Sequence, residues 1–184
     1  AAASVHFLDA SGREVNTASP IGVDGVDAAM KQSGYIDSAE FDRFGNTTRT
    51  YDATNRLLAL GLGSNASADL AELNLTVLPS AERALRLSGF STYSSNGVDV
   101  LTTIGPVQSV QTAGGLEVVR LKTVNTYDEG KPDAREFHLV TSSTTSATRV
   151  SDGAALDAVT TVTGYSPSSA LGGASGWDVK RPTS

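Results

Sequence analysis

Two histidines, one glycine-rich stretch and a cluster of carboxylates are the parts of this 184-residue chain whose residue types invite chemistry. His6 and His138 are the only histidines and cysteine is absent, so a cysteinyl zinc site, a thiol nucleophile and a disulfide framework are excluded. Each histidine falls where strand alternation places a polar or interfacial side chain, and a surface histidine is expected in both cases rather than a shared metal site. Gly61-Leu62-Gly63-Ser64-Asn65-Ala66 has the spacing of a dinucleotide-binding turn. Its surroundings do not fit one: the run before it continues antiparallel hairpins, the helix after it is barely two turns, and no second parallel strand with a terminal acid follows. A plain strand-to-helix loop is expected there. No G-x-S-x-G elbow exists to hold a nucleophilic serine, and Gly173-Ala174-Ser175-Gly176 reads as a flexible stretch instead of a strained turn. Asp24 and Asp27 lie near a possible helical turn at residues 25–32. Asp128, Glu129, Asp133 and Glu136 share a loop with Lys131 and Arg135, and mixed signs describe a solvated loop more than a paired-acid site or a dedicated calcium loop. No catalytic residue, cofactor or metal ligand is expected, and the chain is read as not an enzyme.

Composition narrows the class further. The net charge of −6 offers no electrostatic reason to approach phosphate backbones or anionic lipid, so nucleic-acid partners are not expected. No run of about 18 apolar residues is present, so no membrane insertion is expected, and the opening residues lack the apolar core of a signal peptide. Ser plus Thr make up about a quarter of the chain and Gly adds 18 more residues, while only 6% are aromatic. Such a balance belongs to strands and turns rather than to a helical bundle. The abrupt start in AAAS and the end in KRPTS are read as those of a piece cut from a longer polypeptide.

Period-two alternation dominates, broken at short intervals by turn residues. Strands are expected at residues 5–8, 13–17, 36–41, 46–51, 56–60, 90–93, 98–104, 116–127, 137–148 and 158–165. The fold class expected is therefore all-β, mainly antiparallel hairpins. Two short inserted helices are expected near 67–73 and 79–88, within a helical insertion of about 64–89 in a single segment covering 1–184. Ser67 is placed to cap the first helix, Pro79 is tolerated at the start of the second and Gly89 suits its end. Residues 166–176, rich in Ser and Gly, read as a mobile loop.

The turns themselves repeat. Leu8-Asp9-x-x-Gly12-Arg13, Phe41-Asp42-x-x-Gly45-Asn46, Tyr51-Asp52-x-x-Asn55-Arg56 and Tyr93-Ser94-x-x-Gly97-Val98 share one logic. A large apolar or aromatic residue ends a strand, and an Asp or Ser whose side chain accepts nearby backbone N–H groups opens the turn. A Gly or Asn then adopts positive φ before the next strand. Tyr127-Asp128-Glu129-Gly130-Lys131-Pro132 is a weaker echo, one residue short before its Gly.

This pattern resembles the YD repeat (Tyr-Asp, x, x, Gly-Arg) of the rearrangement-hotspot (Rhs) proteins, their actinobacterial relatives and the teneurins. Residues 41–57 carry the resemblance most strongly, with Phe41 for Tyr and Asn55 for Gly as departures. The resemblance implies a ribbon of antiparallel strands spiralling into a hollow shell that, in bacterial members, commonly wraps a toxin or other effector. It implies neighbouring repeats of the same polypeptide as partners, and a secreted or cell-surface location. The family's aspartate-dependent self-cleavage motif has no match here, so no catalytic role is carried over. The rival expectation is an extracellular module binding carbohydrate or another cell's surface. For that reading Tyr93, Tyr127, Tyr165 and above all Trp177 are the candidate ligand contacts, since a ring face stacks on the apolar face of a sugar; rings at strand ends are otherwise expected to act as wedges between hairpins.

Overall fold

The computed structural model describes residues 3–19, 34–166 and 175–183. The possible helical turn at 25–32, with Asp24 and Asp27, lies outside the described residues, as does most of the Gly/Ser loop at 166–176. Nine described strands form one antiparallel sheet in strict sequence order: β1 Val5–Leu8, β2 Glu14–Ser19, β3 Tyr35–Phe41, β4 Thr47–Tyr51, β5 Gly89–Tyr93, β6 Val100–Thr112, β7 Gly115–Tyr127, β8 Val140–Arg149 and β9 Ala155–Val162. Every connection joins neighbours, so each strand needs only a turn or a local insertion to reach the next. Among the described residues four helices accompany the sheet: α1 Ala53–Ala59, α2 Ala66–Glu72, α3 Ser80–Arg86 and α4 Gly176–Val179.

The all-β expectation with two short helices holds in outline, and one element is corrected. Residues 56–60, expected as the third strand of a meander, belong to α1. Asp52 does accept the N–H of Asn55 at 2.8 Å, as an Asx turn requires, but there it acts as a helix N-cap, and the Asp37 carboxylate takes the N–H of Ala53 at 2.9 Å. The helix closes with two bonds around Gly61, whose φ is +73°: Leu62 N to Leu57 O and Gly61 N to Leu58 O, both 2.9 Å. Tyr51 therefore ends β4 while Asp52, Asn55 and Arg56 start a helix, and the four do not form a hairpin turn. It follows that Gly61 to Ala66 links two helices, with no strand before it.

Burial explains the choice. Ala59, Leu70, Leu75, Leu87 and Val107 make the main buried cluster, with Tyr51, Leu58, Val118 and Val150 packed against it. The helical insertion thus covers one end of the sheet face and supplies most of this core. Its return to the sheet is pinned at Ser88, which is fully buried. Arg49 Nε donates to Ser88 Oγ at 2.9 Å, Arg120 Nη2 donates to Ser88 O at 2.5 Å, and the two guanidinium groups flank the Phe90 ring at 5.8 and 5.3 Å. A second small cluster joins Phe137, Tyr165 and Trp177.

Leu87 is 1% exposed at the junction of insertion and sheet. Leu87→Ala is expected to cost about 3 kcal/mol in urea denaturation, from lost transfer energy and the cavity left behind. Val77→Ala, at a residue 92% exposed, is expected to change stability by less than about 0.5 kcal/mol.

Candidate functional site

All the Asp- or Ser-opened hairpin turns fall at the same end of the sheet, because they connect β1 to β2, β3 to β4, β5 to β6 and β7 to β8. The first two are built alike. Asp9 N donates to Arg13 O at 2.8 Å and Gly12 N to Asp9 O at 3.0 Å, while Asp9 Oδ1 accepts from Ser11 N and Arg13 N. Asp42 N donates to Asn46 O at 2.9 Å and Gly45 N to Asp42 O at 3.1 Å, while Asp42 Oδ1 accepts from Phe44 N and Asn46 N. The third turn substitutes Ser94, whose Oγ accepts from Asp99 N at 2.9 Å while its own N–H donates to Asp99 O at 2.8 Å.

The fourth turn is the same device spread over a longer loop. Asp128 N donates to Leu139 O at 3.0 Å, eleven residues away instead of four. The Asp128 carboxylate accepts three consecutive backbone N–H groups, from Phe137, His138 and Leu139, at 2.8, 3.2 and 3.0 Å. Residues 137–139, expected as the start of a strand, instead form the closing arm of this loop, and β8 begins at Val140. Gly130, expected to close the turn, has φ of +71° but does not make the closing bond, which goes to Leu139.

Each of the four turns is preceded by a shift in register at its last strand residue, so that Leu8 faces Glu14, Phe41 faces Thr47, Tyr93 faces Val100 and Tyr127 faces Val140. A bulge of this kind inserts one extra residue and re-aims the side chain at the strand end. The two re-aimed tyrosines, Tyr93 and Tyr127, reach back to the preceding turn, and so does Tyr165, which lies beyond the end of β9. Tyr93 Oη donates to Thr47 O at 3.1 Å, Tyr127 Oη to Val100 O at 3.1 Å and Tyr165 Oη to Val140 O at 3.0 Å. Each acceptor is the residue that faces the previous aromatic, so the contact hands on from one hairpin to the next. Phe41 has no hydroxyl, and there the link is made by Arg13, whose guanidinium lies 5.0 Å from the Phe41 ring centre and donates to Asp42 O at 2.9 Å.

Further bonds run along the row of turns. Asn46 Nδ2 donates to Gly97 O at 2.7 Å, and the Phe44 ring lies against Gly97, where a Cβ would come within 2.4 Å of it. His138 Nδ1 meets both oxygens of Asp99 at 3.0 Å, joining the third turn to the fourth. His6 pairs separately with Glu14 at 2.7 Å, so the two histidines serve different carboxylates. In the Asp128 loop, Arg135 pairs with Asp133 at 2.8 Å and Asp178 at 3.1 Å while covering the Phe137 ring at 4.8 Å.

Trp177, expected as a possible ligand contact, is only 6% exposed. Its ring lies 5.2 Å from Phe137 and 5.0 Å from Tyr165, and the short helix carrying it is capped by Ser175, so the face a sugar would need is occupied. Of the residues expected at repeat turns, Asp9, Gly12, Phe41, Asp42, Gly45, Tyr127 and Asp128 stand in this row, whereas Tyr51, Asp52, Asn55 and Arg56 stand at the opposite end. Asn46, Asp99 and His138 carry links that sequence reasoning did not single out; an amide, a carboxylate and an imidazole bear no local mark of a partner 39 or 51 residues away. No protein-family model, no curated protein and no solved structure matches the chain.

The turn carboxylates sit below the usual carboxylate range. For Asp9 the cause is hydrogen bonding from the Arg13 backbone and then its side chain. For Asp42 and Asp128 desolvation pushes the value up but is outweighed by N–H donors, from Asn46 and Phe44 in one case and from Leu139, Phe137 and His138 in the other. A carboxyl with a depressed folded value stabilises the fold above its unfolded value, about 3.9 for Asp, and loses that contribution as pH falls through the folded value. Stability followed by circular dichroism is therefore expected to fall steeply below about pH 4. Asp128→Asn is expected to be less stable at neutral pH and to show a shallower acid slope. Separately, Gly12→Ala meets open space and carries only the positive-φ penalty, roughly 1–2 kcal/mol. Gly97→Ala adds a clash with Phe44 and is expected to lose more in thermal denaturation.

Proposed function

We propose that this chain is a structural, non-catalytic section of the wall of a secreted YD-repeat, Rhs-like shell, which encloses or presents a toxin or effector. The observation that carries the reading is the row of turns along one sheet margin, where each tyrosine hydroxyl bonds the carbonyl facing the previous aromatic. A device that hands contact from hairpin to hairpin has no natural stopping point, which suits an array continued by neighbouring repeats. The opposite end tolerates varied connections, from the two-residue link between β6 and β7 to the helical insertion between β4 and β5. Such variation at one margin, with a constant motif at the other, is what an elongated wall permits.

The edges point the same way. Single sheets of this size must cover their edges or blunt them. Here β1 is exposed along its whole length, and β9 leaves Val159 and Val162 at 65% and 72% exposure. Neighbouring repeats of the same polypeptide would pair these strands, and an enclosed effector would cover a sheet face. The carbohydrate-binding alternative loses its principal ring, since Trp177 is packed between Phe137 and Tyr165. Among the described residues no helix is long and apolar enough to cross a membrane, and the secreted or cell-surface location is part of the proposal.

Electron microscopy of the complete natural polypeptide containing this segment is expected to show a hollow particle; a solid globule or a string of separate beads would overturn the reading. The isolated 184-residue chain is expected to self-associate in a concentration-dependent way by analytical ultracentrifugation. Val159→Lys combined with Val162→Lys should leave it more monomeric, because charge on an edge strand discourages further pairing.

A further inference from the structure

Where the link between α2 and α3 crosses the sheet, a cavity of about 310 Å³ opens beside the main core. Its walls are apolar: Leu75, Leu78, Val107, Leu116, Val118 and Val150 line it. Three charged side chains, Arg86, Glu117 and Arg149, stand among the lining residues. Two of these are already committed to each other. Arg149 Nε donates to Glu117 at 3.0 Å and its Nη1 to Asp152 at 2.9 Å, so this arginine has its carboxylate partners.

Arg86 is different. At the last position of α3 it makes no ion pair or hydrogen bond among the described residues. The neighbouring cation Arg120 binds two backbone carbonyls and, among the described residues, no acid. A chain with net charge −6 thus keeps an exposed guanidinium, unpaired among the described residues, in the lining of an apolar hollow. An arginine fork fits a carboxylate in two parallel bonds, and an apolar lining favours a hydrocarbon body.

We propose that this cavity binds a small monocarboxylate with an apolar body of about eight carbons, its chain among Leu75, Leu78, Val107 and Val118 and its carboxylate on Arg86. The volume lies at the lower bound of small-ligand pockets, which limits the occupant to one short molecule. Glu117 stands in the same lining, and together with Asp152 it outweighs the Arg149 they share, so a second negative charge is opposed and dicarboxylates are disfavoured. The site does not depend on whether the sheet belongs to a shell.

Isothermal titration of the folded chain tests it with four probes: octanoate, octanol, acetate, and a peptide ending in leucine with a free carboxylate. Saturable binding of octanoate is expected, with octanol and acetate each weaker by about tenfold or more, since each lacks one of the two complementary parts. Arg86→Gln is expected to weaken octanoate by about tenfold while leaving octanol unchanged, and its circular dichroism should match the native chain. Leu116→Trp, at a half-exposed wall residue, should block both octanoate and octanol without unfolding the protein. Absence of octanoate binding, equal binding of octanol, an unaltered Arg86→Gln variant, or tighter binding of the peptide than of octanoate would each overturn the assignment.

Discussion

The backbone N–H groups at a hairpin end must find acceptors, and in this protein the side chain that opens the turn supplies them. Asp9, Asp42 and Ser94 each hold a short loop closed from within, and Asp128 does the same for a loop of twelve residues by taking three N–H groups at once. A turn that satisfies its own polar groups needs nothing from solvent or from a second sheet. It also fixes the bulge ahead of it, and the bulge turns the strand-end aromatic toward the neighbouring hairpin. Lateral cohesion at this margin follows from that: remove the side-chain acceptor and the tyrosine hydroxyl loses its aim.

Cohesion along the rest of the sheet comes from a different source. The helical insertion buries Leu70, Leu75 and Leu87 against Val107, and Phe137, Tyr165 and Trp177 form a second cluster where β8 begins and β9 ends. Between them the sheet is thinly covered. Leu121, Val124, Val159 and Val162 remain substantially exposed, an arrangement that a solitary domain rarely tolerates. A wall flanked by more of itself resolves this without a second layer of its own, which is why the physical economy of the fold and the proposed role agree.

Two of the expected turns show how far local chemistry reaches. At Asp42 and at Asp52 the same side-chain geometry is drawn, an aspartate oxygen accepting an N–H two or three residues on. At Asp42 a hairpin follows and at Asp52 a helix, because Leu58 and Ala59 find Leu70, Leu75 and Leu87 to bury against. Periodicity does not separate the two outcomes, since Leu57 to Leu60 is a short continuous apolar run that fits either a buried strand or a helix. The long fourth turn was equally hidden: Gly130 stands near the place a short loop would close, but the Asp128 carboxylate is spent on residues 137–139.

The amino-acid order alone determined the strand-and-turn character, the absence of thiol chemistry, the two helices near residues 70 and 83, and the Asp- or Ser-opened corners, because each depends on side chains within a few residues of one another. Only the tertiary structure decided that Asp52 caps a helix, that Trp177 is packed away between two rings, that tyrosine hydroxyls relay from hairpin to hairpin, and that Arg86 is left without an acid. Those outcomes depend on groups brought together from dozens of residues apart, where burial and hydrogen-bond satisfaction select among local conformations of nearly equal energy.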